Sequence, residues 1–282
     1  MITGNTRVAA VIGWPVGHSL SPAIHNAAFA AAGLDYVYIP LAVAPDRLAQ
    51  AMAGFAAAGF VGVNVTLPHK VNVIPLLDSL DRSAELVGAV NTVVYRAGLA
   101  VGHNTDLAGF VNSLAAAGVA IRGRRAVLLG AGGAARAVAW GFLENEAAAV
   151  AVGARDGVRA AAFAASFPAG AVAGYCWYDA AFAAVLSRCD ILVNCTPLGM
   201  HPHADQTVPL DWTALQPSAV VCDLIYTPET TLFLAQARER GHRTVGGAGM
   251  FIEQGAAAFT LWTGRAAPRE AMRAALAAAL ER

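Results

Sequence analysis

The sequence predicts an α/β protein of two domains, each built on a mostly parallel sheet covered by helices, and three observations predict it. Strand-like apolar runs alternate with helical stretches through the N-terminal third. Near residue 130 a second alternation opens with a short apolar strand, a glycine turn and an alanine-rich helix. At 282 residues the chain is too long for one small core and fits two domains of ordinary size.

Composition narrows the partners. Hydrophobic residues make up 57% and charged residues 13%, which describes a folded chain rather than a disordered one. Nineteen basic residues balance 19 acidic ones without any basic run, so nucleic acid and membrane surfaces are not expected partners and a small molecule is. No apolar run of about eighteen residues escapes Gly, Pro or charge, and the N-terminus lacks a basic segment leading into an apolar one. A cytoplasmic protein is the expectation. Cys176, Cys189, Cys195 and Cys222 show no CxxC spacing and read as reduced, structural residues.

In chain order, Val8 to Ile12, Tyr36 to Leu41 and Val61 to Val65 read as strands, and Pro22 to Ala32 and Pro45 to Ala58 as helices. Val90 to Tyr95 and Leu99 to His103 flank Arg96-Ala97-Gly98 and read as a hairpin added to that sheet. Asp106 is placed to cap the helix Leu107 to Ala117, which Gly118 stops. Strands follow at Arg125 to Leu129, Ala149 to Gly153, Cys189 to Asn194 and Ala219 to Leu224, then helices at Glu229 to Arg240, Phe251 to Trp262 and Pro268 to Leu280.

The chemistry concentrates at strand ends. In Gly62-Val63-Asn64-Val65-Thr66-Leu67-Pro68-His69-Lys70, alternation places Asn64 and Thr66 on one face, with Lys70 just beyond. Two carboxamide and hydroxyl groups beside an ammonium suit a polyhydroxylated ligand, although a lone lysine after a strand is by itself most often a solvated charge. Further polar clusters occur at Gly17-His18-Ser19-Leu20-Ser21-Pro22, Gly88-Ala89-Val90-Asn91-Thr92 and Gly102-His103-Asn104-Thr105-Asp106. His201-Pro202-His203 supplies two imidazoles and no convergent third ligand, so no metal is expected.

Gly130-Ala131-Gly132-Gly133-Ala134-Ala135 is a dinucleotide fingerprint of the Rossmann type in its proper context, between a strand and a helix. Gly130 makes the tight turn, Gly132 admits a pyrophosphate, Ala135 allows close helix packing, and Ala131, Gly133 and Ala134 present backbone N–H groups to the anion. At the next strand end a ribose 2′-OH calls for an acid and a 2′-phosphate for an arginine. Arg155 favours NADP, while the adjoining Asp156 keeps NAD open unless it turns away to cap the following helix.

Taken together, the Ser19-x-Ser21 pair, the Asn64-x-Thr66-x-Pro68-x-Lys70 run, Ala89-Val90-Asn91-Thr92 and Asn104-Thr105-Asp106 resemble the shikimate dehydrogenase family. The resemblance runs from Ile12-Gly13 to Leu261-Trp262-Thr263-Gly264. It implies a substrate-binding catalytic domain of residues 1–103 plus about 250–282, an NADP-binding Rossmann domain of residues 104–249, and a cleft between them. It implies that Lys70 and Asp106 pair as the catalytic groups, that Ser19 and Ser21 take the substrate carboxylate, and that Asn64, Thr66, Asn91, Tyr226 and Gln254 make the other substrate contacts. Thr196 of Asn194-Cys195-Thr196-Pro197-Leu198-Gly199-Met200, Leu224, and Gly247 and Met250 of the glycine-rich turn before Phe251 would border the cofactor.

The implied reaction is reversible NADPH-dependent reduction of 3-dehydroshikimate to shikimate, by a monomer or homodimer. Three readings compete with it. One is an NAD-preferring quinate/shikimate dehydrogenase. Another is a paralogue that binds shikimate or nucleotide without turnover. The last, a folate-linked dehydrogenase of related build, matches the serine pair and the Asn-Thr-Asp run less well.

Overall fold

The computed structural model describes residues 2–281. The chain divides into two compact units, one formed by residues up to Gly109 together with those from Ile252 onward, the other by Phe110–Phe251.

In the first unit, β1 (Arg7–Gly13), α1 (Ser21–Ala31), β2 (Tyr36–Ala42), α2 (Leu48–Ala57) and β3 (Gly62–Val65) build the expected βαβαβ run. There follow β4 (Ser79–Leu80), α3 (Arg82–Val87), β5 (Thr92–Arg96), β6 (Leu99–His103) and the start of α4 (Thr105–Ala116). The six-stranded sheet has the order β2-β1-β3-β5-β6-β4. β1 pairs in parallel with β2 and β3, whereas β5 runs antiparallel to both β3 and β6. Ala97 and Gly98 both take positive φ, as the two-residue turn of a right-twisted hairpin requires. Ala10, Ile12, Val63, Val65 and Val93 fill one core of this unit.

The second unit contains β7 (Arg125–Leu129), α5 (Gly133–Glu144), β8 (Ala149–Ala154), α6 (Gly157–Ala165), β9 (Ala173–Cys176), α7 (Ala180–Leu186) and β10 (Ile191–Asn194). It continues with β11 (Val220–Asp223), α8 (Leu232–Glu239), β12 (Arg243–Val245) and the start of α9 (Gly247–Thr263). Its sheet, β12-β11-β10-β7-β8-β9, is parallel throughout. With β7 as the first strand this is the doubly wound dinucleotide-binding order, whose direction reverses between β7 and β10. Arg125 binds Asp190 through Nε and Nη2 at 2.9 and 3.0 Å, tying the starts of β7 and β10 together. The end of α9 and α10 (Arg269–Leu280) belong to the first unit, where α10 packs on α1 and Glu253 accepts two bonds from Arg269 Nε.

Five expectations about local structure change. Pro45–Arg47 forms a 3-10 turn ahead of α2, and α8 begins only at Leu232 because the Thr231 hydroxyl caps it by accepting from Leu234 N–H. Leu67 does not continue the buried alternation: β3 ends at Val65 and Leu67 is 73% exposed. The glycine-rich stretch is not a turn throughout, because Gly247 to Met250 already form the first turn of α9. Asp106 does not cap α4. Asn104 does, its Oδ1 accepting from the N–H groups of Asp106 and Leu107, which leaves the Asp106 carboxylate for other partners. β4 and β12, two and three residues long, offer too few residues for a period to be read, and β9 (Ala173–Cys176) carries only small residues apart from Tyr175.

Among the described residues no helix is long and apolar enough to cross a membrane. All four cysteines are free.

Candidate active site

The first unit gathers its polar residues where β3 and β5 meet. Antiparallel register sets Asn64 opposite Thr92, so the Asn64 carboxamide donates to Thr92 Oγ1 at 2.9 Å and to the Asn91 carbonyl at 3.1 Å. Asn91 in turn is locked by α4: its Oδ1 accepts from Thr105 N–H at 2.7 Å, and its Nδ2 donates to Asp106 Oδ1 at 2.8 Å. Lys70 Nζ donates to the other oxygen, Asp106 Oδ2, at 2.6 Å. Burying amide groups costs free energy unless every donor finds an acceptor, and here the partners are supplied by neighbouring residues of the same unit.

The Lys70 backbone is held as firmly as its side chain. Val90 N–H donates to the Lys70 carbonyl at 2.8 Å, His69 N–H to Thr66 O at 2.9 Å, and the buried His69 imidazole bonds Val43 O at 2.7 Å. The side chains of Lys70 and Asp106 are 29% and 14% exposed, so the pair is sheltered from bulk water yet open to a ligand. One of three ammonium N–H groups is used on Asp106, which leaves donors for a developing oxyanion.

Ser21 joins this network through a residue absent from the sequence-based candidates. Tyr38, 1% exposed in β2, donates its hydroxyl to Asn64 Oδ1 at 2.6 Å and is hydrogen-bonded to Ser21. Burial pushes its phenol up, so it stays a donor. The available signal was a tyrosine inside the apolar strand Tyr36 to Leu41: an inward tyrosine must find a partner for its hydroxyl. Ser19 Oγ accepts from Ser21 N–H at 3.3 Å, at the start of α1. Thr66 stands beyond the end of β3 with its methyl against Gly13. Gln254 lies on α9 with its backbone against Gly109, one helical turn from Asp106 on α4.

His25 lies beneath this network, stacked on Tyr38 at 4.4 Å, fully buried and with no hydrogen-bond partner for either ring nitrogen among the described residues. Burial pushes its pKa from 6.5 down to about 3. The folded state therefore stays neutral where the unfolded chain takes up a proton. Stability is unaffected above pH 6.5 and falls as pH drops from 6.5 towards 3, by up to about 1.4 kcal/mol per unit. His25→Phe is expected to flatten that slope, measured as urea midpoints at pH 7 and pH 4.5 for both proteins. Equal slopes would exclude His25 as the cause.

In the second unit the fingerprint forms the β7–α5 turn. Gly130 has φ +103°, its N–H donates to Gly153 O at 2.8 Å, and a side chain there would strike the Thr196 methyl. Ala131 and Gly132 complete the turn, Gly133 and Ala134 open α5, and Ala135 is fully buried against the sheet. A side chain added at Gly132 or Gly133 would meet no atom within 4 Å, and the first turn of a helix leaves backbone N–H groups without partners inside that helix. This cradle fits a pyrophosphate. Arg155 is exposed at the end of β8, and Asp156 caps α6, its Oδ1 accepting from Val158 and Arg159 N–H. The residues fit a 2′-phosphate.

Thr196 lies in the loop after β10, and Leu224 N–H bonds Asn194 O at 3.2 Å at the end of β11. Tyr226 stacks on Phe251 at 4.3 Å, and burial raises its phenol. Met250 is 9% exposed and packs in the core cluster that holds Phe110 and Leu114. Among the described residues no group of three or more His, Cys, Asp or Glu side chains converges as a metal site.

Comparison with known proteins places the chain in a family. A family model described as the shikimate dehydrogenase substrate binding domain matches residues 11–93, and one described as the shikimate 5′-dehydrogenase C-terminal domain matches residues 247–277. A shikimate dehydrogenase (NADP(+)) of Moorella thermoacetica is 46% identical over 95% of this chain and 91% of its own. A crystal structure of a shikimate dehydrogenase in complex with NADP+ superimposes with a TM-score of 0.94 at 37% identity, covering 100% of this chain and 98% of the other. The Thermus thermophilus shikimate 5-dehydrogenase, solved with NADP(H) and shikimate, gives 0.88 at 36% identity over 97% of this chain and 100% of its own.

Proposed function

Because this chain belongs to the shikimate dehydrogenase family, we propose that it catalyses the reversible NADPH-dependent reduction of 3-dehydroshikimate to shikimate. The observation that carries the reading is the Lys70–Asp106 pair, 2.6 Å apart and anchored by Asn91. When bound, NADPH supplies a hydride to the carbonyl carbon of the substrate. Lys70 donates a proton from its ammonium group to the oxygen as charge develops there, and regains one from solvent. Asp106 aims the ammonium and accepts from a substrate ring hydroxyl. Oxidation of shikimate reverses both transfers.

The remaining contacts in this reading divide by chemistry. Ser19 and Ser21 donate hydroxyls to the substrate carboxylate, Thr66 and Asn91 bond its ring hydroxyls, and Asn64, Tyr226 and Gln254 complete the contacts. Gly130 to Ala134 hold the pyrophosphate by backbone N–H groups, with Thr196, Leu224, Gly247 and Met250 along the nicotinamide side. Cytoplasmic residence suits an enzyme with four free cysteines.

The test is a set of initial rates with shikimate and quinate, each against NADP and NAD. Preference for shikimate with NADP supports the proposal, preference for quinate with NAD replaces it with the catabolic reading, and ligand binding without turnover replaces it with a non-catalytic one. Arg155→Ser is expected to raise KM for NADP by about 10- to 100-fold, the value of a lost charge-assisted bond to phosphate, and to leave KM for NAD within about twofold. Equal effects on the two cofactors would remove Arg155 from the 2′-phosphate site.

A further inference from the structure

We propose that Asp223 is a positioning residue for the cofactor side of the second unit: its carboxylate sets the Asn194 carboxamide, and through it the Thr196 loop. The inference rests on the functional reading above only where it names the cofactor. Asp223 ends β11, is 2% exposed, and accepts from three segments: Asn194 Nδ2 at 3.1 Å on β10, Ile225 N–H at 3.0 Å, and the Thr231 hydroxyl at 2.7 Å at the start of α8. Asn194 and Thr231 are fully buried.

A carboxamide has one donating and one accepting end. With Nδ2 given to Asp223, Asn194 Oδ1 faces the loop and accepts from Thr196 N–H at 3.0 Å and Thr196 Oγ1 at 2.7 Å. Thr196 Oγ1 then accepts from Leu198 N–H at 3.2 Å, and its methyl lies against the Gly130 turn. The carboxylate thus decides which way a buried amide faces, and the amide decides where Thr196 stands.

None of the partners of Asp223 is a cation, and burial pushes its carboxyl from 3.8 up to about 6. The ionisable groups nearby that interact with it, the thiols of Cys195 and Cys222, are themselves pushed up by burial and bring no compensating charge. An apolar residue would close this strand end at lower cost. The carboxylate is explained by three donors that need a common acceptor.

Exchanging the pair tests the inference. Asp223→Asn keeps the shape and puts a donor against donors. Asn194→Asp sets two carboxylates about where the 3.1 Å bond now runs. Each is expected to weaken NADPH binding about tenfold by fluorescence titration and to speed amide exchange of residues 195–199 about tenfold, with KM for shikimate within about twofold. The double exchange restores one carboxylate and one carboxamide, and should recover both readouts to within about threefold of wild type. Wild-type NADPH affinity in Asp223→Asn, a fall in Tm without change in exchange or affinity, or a double variant no better than the singles would each overturn the proposal. Should the wild type turn over no shikimate, the functional reading fails while amide exchange in the free protein still reports on the relay.

Discussion

Lys70→Ala is expected to lower kcat for shikimate oxidation by about a thousandfold while the fold survives, within the 10²- to 10⁴-fold usually contributed by a positioned acid or base. The loss falls on kcat because the proton must arrive or leave at one oxygen as charge develops there, and among the described residues no second ammonium or imidazole is bonded to Asp106. The cost in stability is small. The Lys70 side chain is 29% exposed, so its ion pair is partly screened and worth less than about 1 kcal/mol, and Asp106 remains held by Asn91. Lys70→Arg should not restore the rate, since a planar guanidinium presents its donors in a different geometry and does not give up a proton. Initial rates at saturating cofactor, with Tm as the control on folding, check this. A kcat within about threefold of wild type would remove Lys70 from the chemistry.

The second large effect is expected at Gly247→Ala. A methyl group built there lies 2.3 Å from the Leu224 carbonyl oxygen and 2.6 Å from that of Ile225. Both obstacles are backbone, so no side chain can rotate out of the way and α9 must shift off the end of β11. The Gly247 N–H also donates to Ile225 O at 3.2 Å, a bond that any shift breaks. Overpacking of this kind costs about 3 kcal/mol or more, and NADPH affinity should fall with it. Gly133→Ala is the contrast. It sits in open space at the first turn of α5, so Tm is expected to hold or rise slightly while any loss appears in NADPH binding alone. Thermal melts and NADPH titration of both variants separate the two roles, and equal Tm values would refute the packing account of Gly247.

Gly247 illustrates how far local pattern reaches. Family resemblance marks it as a cofactor-side glycine, while the structure adds that its missing side chain also lets α9 start directly over two carbonyl groups. Asp106 follows the same logic. An Asx residue before a helix reads as a cap, and one is needed, but Asn104 two residues earlier supplies it and so releases Asp106 to meet Lys70. Asp156 is the opposite case. Sequence leaves it between a ribose and a cap, and the φ/ψ of the β8–α6 turn commits it to the cap.

The sequence by itself determined the order of the main strands and helices, the mostly parallel character of the sheets, the hairpin around Ala97 and Gly98, and the strand-glycine-helix unit at Gly130. Each of these depends on side-chain period or turn chemistry within a few residues, so local pattern suffices. Only the tertiary structure decided which polar groups complete one another. Tyr38 meets Asn64 across 26 residues, Lys70 meets Asp106 across 36, and Asp223 meets Asn194 across 29. Those meetings depend on strand register and on which strands become neighbours, and a shift of one residue would turn every such side chain to the opposite face. Burial then gives the contacts their force, since a polar group enclosed by the fold must be satisfied by whatever the fold has brought beside it.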